Sequence, residues 1–420
     1  MNMRILSLMI LLMTAASAPA ENWPQWRGPK NDGISNEKGL PTKWSETENI
    51  AWKLPMPGPG AATPCIWEDR MFFTAVAEKD LLLLCVGTDG KEKWRKAIGS
   101  GNQTARGDEG NSASASCSTD GKLVFSFVGD GTLTAHDFEG NEKWKIDTQK
   151  VYGEFKIQFG AHWTPVLYKG VLYVALMHRK AQLLIALEAA TGKEQWKVTR
   201  TSDGKGESPD VYSSPFIWEK GDDALLIAHG NDYCTAHSLK DGSEVWRVTE
   251  LNPKAKYNNA WRAVSSPLVA SDLIVVPSCK NGVTVGIDPT KAKGEIAPKA
   301  SGEIWRHDRN TTDVPSPLLV DGIVYIFKEN SSLMAYDAKT GTAIYTEKIT
   351  NERHRANPVY ADGKLYLVGR DGNMAVVKAG KEFEMISKMK LPDTFTASPA
   401  ISGGRIYLRG SKFLWAIGSK

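Results

Sequence analysis

The sequence predicts an all-β chain: an eight-bladed β-propeller of four-stranded antiparallel blades, with the last blade closed by an N-terminal strand. Three observations predict it. First, a small polar residue followed by Pro opens a pair of apolar strands at Pro64, Pro165, Pro215, Pro267, Pro317, Pro358 and Pro399. An eighth copy, "SCSTDGKLVFS", has Ser116 where Pro is expected, and the copies follow one another at steps of 41 to 52 residues. A fixed period of this size marks a propeller or a solenoid. Second, Gly-x-x-x-Trp recurs at Gly90–Trp94, Gly140–Trp144, Gly192–Trp196 and Gly242–Trp246. Third, the last copy has room for only three strands after Pro399, while "ENIAWKLPM" (48–56) is a spare strand with no marker of its own.

In chain order, residues 1–20 are expected to be a signal peptide. Arg4 precedes an apolar run, and Ala18-Pro19-Ala20 fits the small-x-small cleavage rule. The run is short of the ~20 residues a spanning helix needs, so no membrane-spanning segment is expected in the mature chain. Residues 21–48 form a leader segment, and 49–420 the propeller. Within one unit, 317–348, "PLLV", "IVYIFK", "LMAYD" and "AIYTEK" read as strands separated by Asp-Gly, Asn-Ser and Thr-Gly turns. Four such strands make a blade. Residues 49–55 are expected to complete the eighth blade as its outer strand, which leaves no open face to cap.

The glycine closes the outer hairpin where positive φ is needed. The indole fills the wedge between blades. Trp52, Trp94, Trp144, Trp196, Trp246 and Trp305 are therefore blade-docking residues, with Tyr345 a smaller variant. The seventh unit, "KAGKEFEMISK", lacks the pattern, with Phe383 or Met385 nearby, and a looser seam is expected there.

The formal net charge is +4, or +3 without Arg4, with both signs evenly mixed. Nothing here suggests nucleic acid. The five cysteines, Cys65, Cys85, Cys117, Cys234 and Cys279, are an odd number with no C-x-x-C. That argues against haem attachment or a zinc knuckle and for buried, inert thiols. There is no HExxH, P-loop or G-x-S-x-G motif, so no catalytic residue and no metal ligand is assigned.

The strand-and-hairpin stretches "ALEAATGKEQW" and "AYDAKTG" resemble the pyrroloquinoline quinone (PQQ) repeat, over nearly the whole chain from about residue 49 to 420. "NWPQWRGPKNDGIS" (22–35) is similar to the leader of exported bacterial PQQ-like propellers. The resemblance implies one of two functions. One is a PQQ-dependent oxidoreductase, an alcohol or sugar dehydrogenase with quinone and calcium at the axis. The other is a non-catalytic propeller that binds a protein partner. Against the first, the chain has no adjacent cysteines. Against the anchored form of the second, it has no lipid-anchor cysteine.

A ligand is expected at the axial channel mouth, where the connections before the inner strands converge. They carry His162, Trp163, Tyr212, Trp261, Arg262, Arg353, His354, Arg355 and Phe395, a set of aromatic and cationic groups suited to an anionic or planar ligand. The long connection 99–114, with Arg106, Asp108 and Glu109, is a mobile loop or a lid. The connection 147–162 is expected to fold back over the mouth. His136 and His237 occupy one repeat slot, which points to packing.

The favoured expectation is an exported, periplasmic or secreted, non-catalytic scaffold with a protein or glycan partner and no cofactor. A PQQ oxidoreductase, with PQQ and calcium, and a polysaccharide-binding accessory protein are the alternatives.

Overall fold

Asp-Gly and Asn-Ser turns between short apolar runs fold the chain into hairpins, and pairs of hairpins into blades. The computed structural model describes residues 20–105 and 110–419. The expected signal peptide, except Ala20, lies outside the described residues, as do Arg106, Asp108 and Glu109. Eight sheets are present among the described residues, each with four antiparallel strands running from the axis outward. The unit read as 317–348 forms strands Leu318–Val320, Ile323–Phe327, Ser332–Asp337 and Ala343–Lys348. Middle strands such as Val171–His178 are buried on both faces, because each blade is sandwiched between two others; outer strands such as Glu194–Thr199 alternate with solvent.

Ring closure follows the sequence expectation. Ile50–Pro55 pairs antiparallel with Phe413–Ile417, with Trp52 opposite Ala416. One marker is corrected: Ser118 pairs with Phe125 as Cys65 pairs with Phe72, so Cys117 and not Ser116 stands in the Pro position of blade 2.

The Gly-x-x-x-Trp repeat links neighbours. Trp52, Trp94, Trp144 and Trp196 each rest on an aromatic of their own blade, Tyr407, Phe72, Phe125 and Tyr173. Each Nε1 then donates to a carbonyl of the next blade: Trp52 to Thr88, Trp94 to Phe138, Trp144 to Ala189, Trp196 to Leu239 and Trp305 to Ala338, all at 2.8–2.9 Å. The glycine of the next blade lies under the ring. Gly192 has φ +73°, and a Cβ there would sit 2.8 Å from Trp144. Gly90, Gly140, Gly242 and Gly341 make the same contact. Replacing Trp52 by alanine, at the closing seam, is therefore expected to lower the urea-unfolding free energy by about 3 kcal/mol. A loss below about 1 kcal/mol would mean the ends are held by the strand ladder alone.

Two seams depart from the rule. Trp246 is fully buried, but its Nε1 has no acceptor among the described residues. An insertion adds strand Gly294–Ile296, parallel to the strand that holds Trp246. In blade 7, Val376 pairs with Ser387 as Ala186 pairs with Trp196, so Ser387 holds the indole position, not Phe383 or Met385. The leader supplies the missing ring. Trp44 is 3% exposed and stacks on Tyr366 at 6.5 Å, where a blade's own Trp would lie, and Ser387 Oγ donates to the Thr42 carbonyl.

Before reaching Trp44, the leader circles the axis. In each inner strand, the residue two past the marker is not ladder-bonded through its N–H, which faces inward. Trp23 exchanges main-chain bonds with Ile66 of blade 1 at 2.7 and 2.8 Å. The Pro24 carbonyl accepts from Thr119 N of blade 2, and Gln25 Oε1 from Leu167 N of blade 3. Trp26 lies 6.0 Å from Phe216 of blade 4. Arg27 donates to the Pro317 carbonyl of blade 6, and the Gly33 carbonyl accepts from Tyr360 N of blade 7. Ile34–Ser35 then adds a parallel strand to blade 7, and Glu37 accepts from Gly403 N and Gly404 N of blade 8. No helix among the described residues is long and apolar enough to cross a membrane.

Candidate axial site

The connections entering the inner strands end at one mouth of the axis. Four of the nine expected residues, His162, Tyr212, Arg262 and Arg355, line one cavity there, of about 100 Å³. Asp313, Phe159, Ala105, Val264 and Val314 complete it. Phe159 arrives on the connection 147–162, which folds into the cavity wall; its N–H donates to Tyr212 Oη at 3.1 Å. The Arg262 guanidinium lies 4.9 Å over the Phe159 ring and 6.0 Å from that of Tyr212, the attraction of a cation for an aromatic face.

The other five expected residues do other work. Trp163 is 1% exposed, donates to the Val211 carbonyl at 2.7 Å, and packs edge-on against Phe155. His354 is fully buried: Nδ1 bonds the Val368 carbonyl, and Nε2 meets Ser331 and Thr350 hydroxyls. Trp261 borders a separate cavity of about 20 Å³ that contains Ser278 and Cys279. Arg353 is exposed, and its carbonyl accepts from Arg370 N. Phe395 is fully buried and donates to the Arg370 carbonyl. His237, the repeat-slot histidine, bonds the Gly242 carbonyl and Thr235 within its own blade.

The mouth balances its own charges. Arg262 pairs with Glu207, and Lys280 lies 3.9 Å from the same carboxylate. Burial, then the nearby Glu329 charge, raises the Asp313 carboxyl above its usual range. Burial pushes His162 down to about 4, so its imidazole is neutral at pH 7. Tyr212 is the only hydroxyl side chain in the lining and is itself raised by burial. Among the described lining residues no nucleophile is paired with a base.

Nor do these residues fit a quinone over calcium. Pockets for cofactor-sized ligands span roughly 300–1,000 Å³, and a tricyclic tricarboxylate has no room beside Phe159 and Arg262. Calcium takes six to eight oxygens. Among the described residues Asp313 is the one carboxylate in the wall, and no three His, Cys, Asp or Glu side chains converge as metal ligands. All five cysteines are buried and unpaired, and burial pushes Cys85, Cys234 and Cys279 up to about 12, as expected of inert thiols.

Comparison with known proteins agrees on the repeat. The family model described as outer membrane protein assembly factor BamB matches residues 129–295 and 292–382. BamB of Yersinia pestis is 22% identical over 291 residues, 68% of each chain. The crystal structure of BamB from Moraxella catarrhalis superposes with a TM-score of 0.62 at 14% identity, covering 87% of this chain and 96% of that one. The quinohemoprotein alcohol dehydrogenase of Comamonas testosteroni superposes with a TM-score of 0.67 at 12% identity, covering 95% and 81%. At such identities the two solved structures speak for the fold alone. The family match spans more than half of the chain, which therefore belongs to the outer membrane protein assembly factor BamB family of PQQ-repeat propellers.

Proposed function

We propose that this chain is an exported, non-catalytic propeller that docks a protein partner on the face where the axial mouth opens. The observation that carries the reading is the filling of the mouth by the chain's own Phe159, Tyr212 and Arg262, which leaves room for about one side chain. Stacked aromatic and arginine groups around a small socket are what a protein hot spot uses to seat an anchor residue. The family's name, an assembly factor, supports a protein as the partner.

The test uses the full chain in two arms. PQQ with calcium is titrated against tryptophan fluorescence, with a dye-linked alcohol oxidation assay alongside. A photo-cross-linking residue at the exposed Arg353 position reports on partner contact in the exporting cell, and Arg262→Ala and Arg355→Ala are then compared for affinity to the protein identified. No saturable quinone binding and at least a tenfold loss of partner affinity in both variants are expected. Tight quinone binding with dye reduction would make the chain an oxidoreductase instead.

A further inference from the structure

The opposite end of the axis has the space that the mouth lacks. Between the leader and the inner strands of blades 3 to 6 lies a groove of about 580 Å³, inside the range of roughly 300–1,000 Å³ typical of ligand sites. Its walls include Ile34, Leu167, Ile217, Val269 and Leu319, with Lys30 at the rim.

The leader shows how this wall is read. Trp23, Pro24 and Gln25 are consecutive, and they meet consecutive blades, each offering one oxygen to one inward N–H: Ile66, Thr119 and Leu167. After Trp26 the chain arches away through the turn at 28–33 and returns to the wall at Tyr360 in blade 7. Trp26 touches blade 4 and Arg27 blade 6 through their side chains, but no leader oxygen meets the equivalent residues of blades 4, 5 and 6, which are Ile217, Val269 and Leu319. Val269 and Leu319 lie one pair beyond the residues that close the inner hairpin, as Leu167 does, and Ile217 lies three pairs beyond; the odd number puts each N–H on the side away from the ladder. Among the described residues, none of their N–H groups has an acceptor. All three residues line the groove. Unpaired inward donors on three successive blades are a template for an extended chain.

Charge narrows the occupant. Glu219 on the wall is already held by Lys169 and Tyr168. Asp32, the other carboxylate in the lining, accepts from Ile34 N and feels the charges of Arg27 and Lys30, while Lys30 itself is exposed and makes no ion pair among the described residues.

We infer that this groove is a second docking site, which takes a short extended segment of a partner protein running around the axis. The segment continues the leader's path: one carbonyl oxygen meets each of the Ile217, Val269 and Leu319 N–H groups, apolar side chains lie against Ile34 and the wall, and an acidic residue meets Lys30. The inference does not depend on the mouth, and the two readings fail separately.

A display library of linear peptides panned on the full chain supplies the probe. Hydrogen exchange is followed with the enriched peptide, and its affinity is measured for Val269→Pro and Lys30→Glu. Proline is tolerated on a strand edge whose N–H makes no ladder bond, so Val269→Pro removes the donor and keeps the strand. Slowed exchange is expected in Phe216–Lys220, Leu268–Val269 and Leu318–Val320. About a tenfold loss of affinity is expected in each variant, with an unchanged thermal midpoint. If Val269→Pro does not fold, Lys30→Glu and the exchange map decide. Protection confined to the mouth connections, full affinity in the folded variants, or no enrichment above a chain-free surface would overturn the inference.

Discussion

Replacing Trp23 by alanine is expected to lower the unfolding free energy by about 3–5 kcal/mol. The indole is fully buried and belongs to the same apolar cluster as Met71 and Phe73 of blade 1, Val376 of blade 7 and Ile406 of blade 8. It therefore packs where the two ends of the ring meet. Gly28 makes room for it: a Cβ at that residue would lie 2.8 Å from the ring, and its φ of +86° suits glycine. Alanine at residue 23 keeps both main-chain bonds to Ile66, so the loss reports the indole and the cavity it leaves. Urea titration with an unchanged m-value measures it. A loss under about 1 kcal/mol would make the leader a tail lying on a ring that is stable without it.

That effect would not be guessed from the repeat. Periodicity exposes what each blade does to the next, and so Trp94, Trp144 and Trp196, with the glycines beneath them, were legible. Closure by Ile50–Pro55 was legible for the same reason: a blade lacking one strand and a strand lacking a blade can be matched by counting. The leader has no period, because it meets each blade once and by different chemistry, a carbonyl at Pro24 and a side-chain amide at Gln25. Trp44 filling the place left by Ser387 was hidden because the outer hairpin of blade 7, from Val377 to Met385, is one residue longer than that from Leu187 to Glu194, and Phe383, not Gly, stands four residues before Ser387. At the mouth, residue type alone could not separate Arg262 and Tyr212, which reach the cavity, from Trp163 and His354, which pack inside seams. Position relative to the marker matters more: His162, Tyr212 and Arg355 stand three residues before Pro165, Pro215 and Pro358, while Trp163 and His354 are one residue off that place. Asp313 was missed because "TTDVP" offers no aromatic or cationic signal; its interest comes from burial beside Glu329, which only the fold creates.

Acid is expected to unfold the chain before its surface carboxylates titrate. Burial is the first cause of a lowered pKa at every histidine. His162, His178, His237 and His354 are held to about 4 and His229 to about 3, and His136 and His307 are also lowered. The unfolded value is about 6.5, so between these values the unfolded chain binds more protons than the folded one. Stability is therefore complete above pH ~6.5 and falls as pH drops toward 4, each histidine contributing up to about 1.4 kcal/mol per pH unit. Asp32, Asp313 and Glu352, raised by burial, act in the opposite sense, but they are three against seven. Thermal midpoints measured from pH 7.5 to 5 should hold down to about pH 6.5 and fall below it. His229→Leu, a residue 2% exposed between blades, should flatten that slope by removing one titrating group. A midpoint constant over this range would mean that the imidazoles take up protons within the folded ring, and that the seams admit charge and water at positions where the indoles and the strands of adjacent blades leave them none.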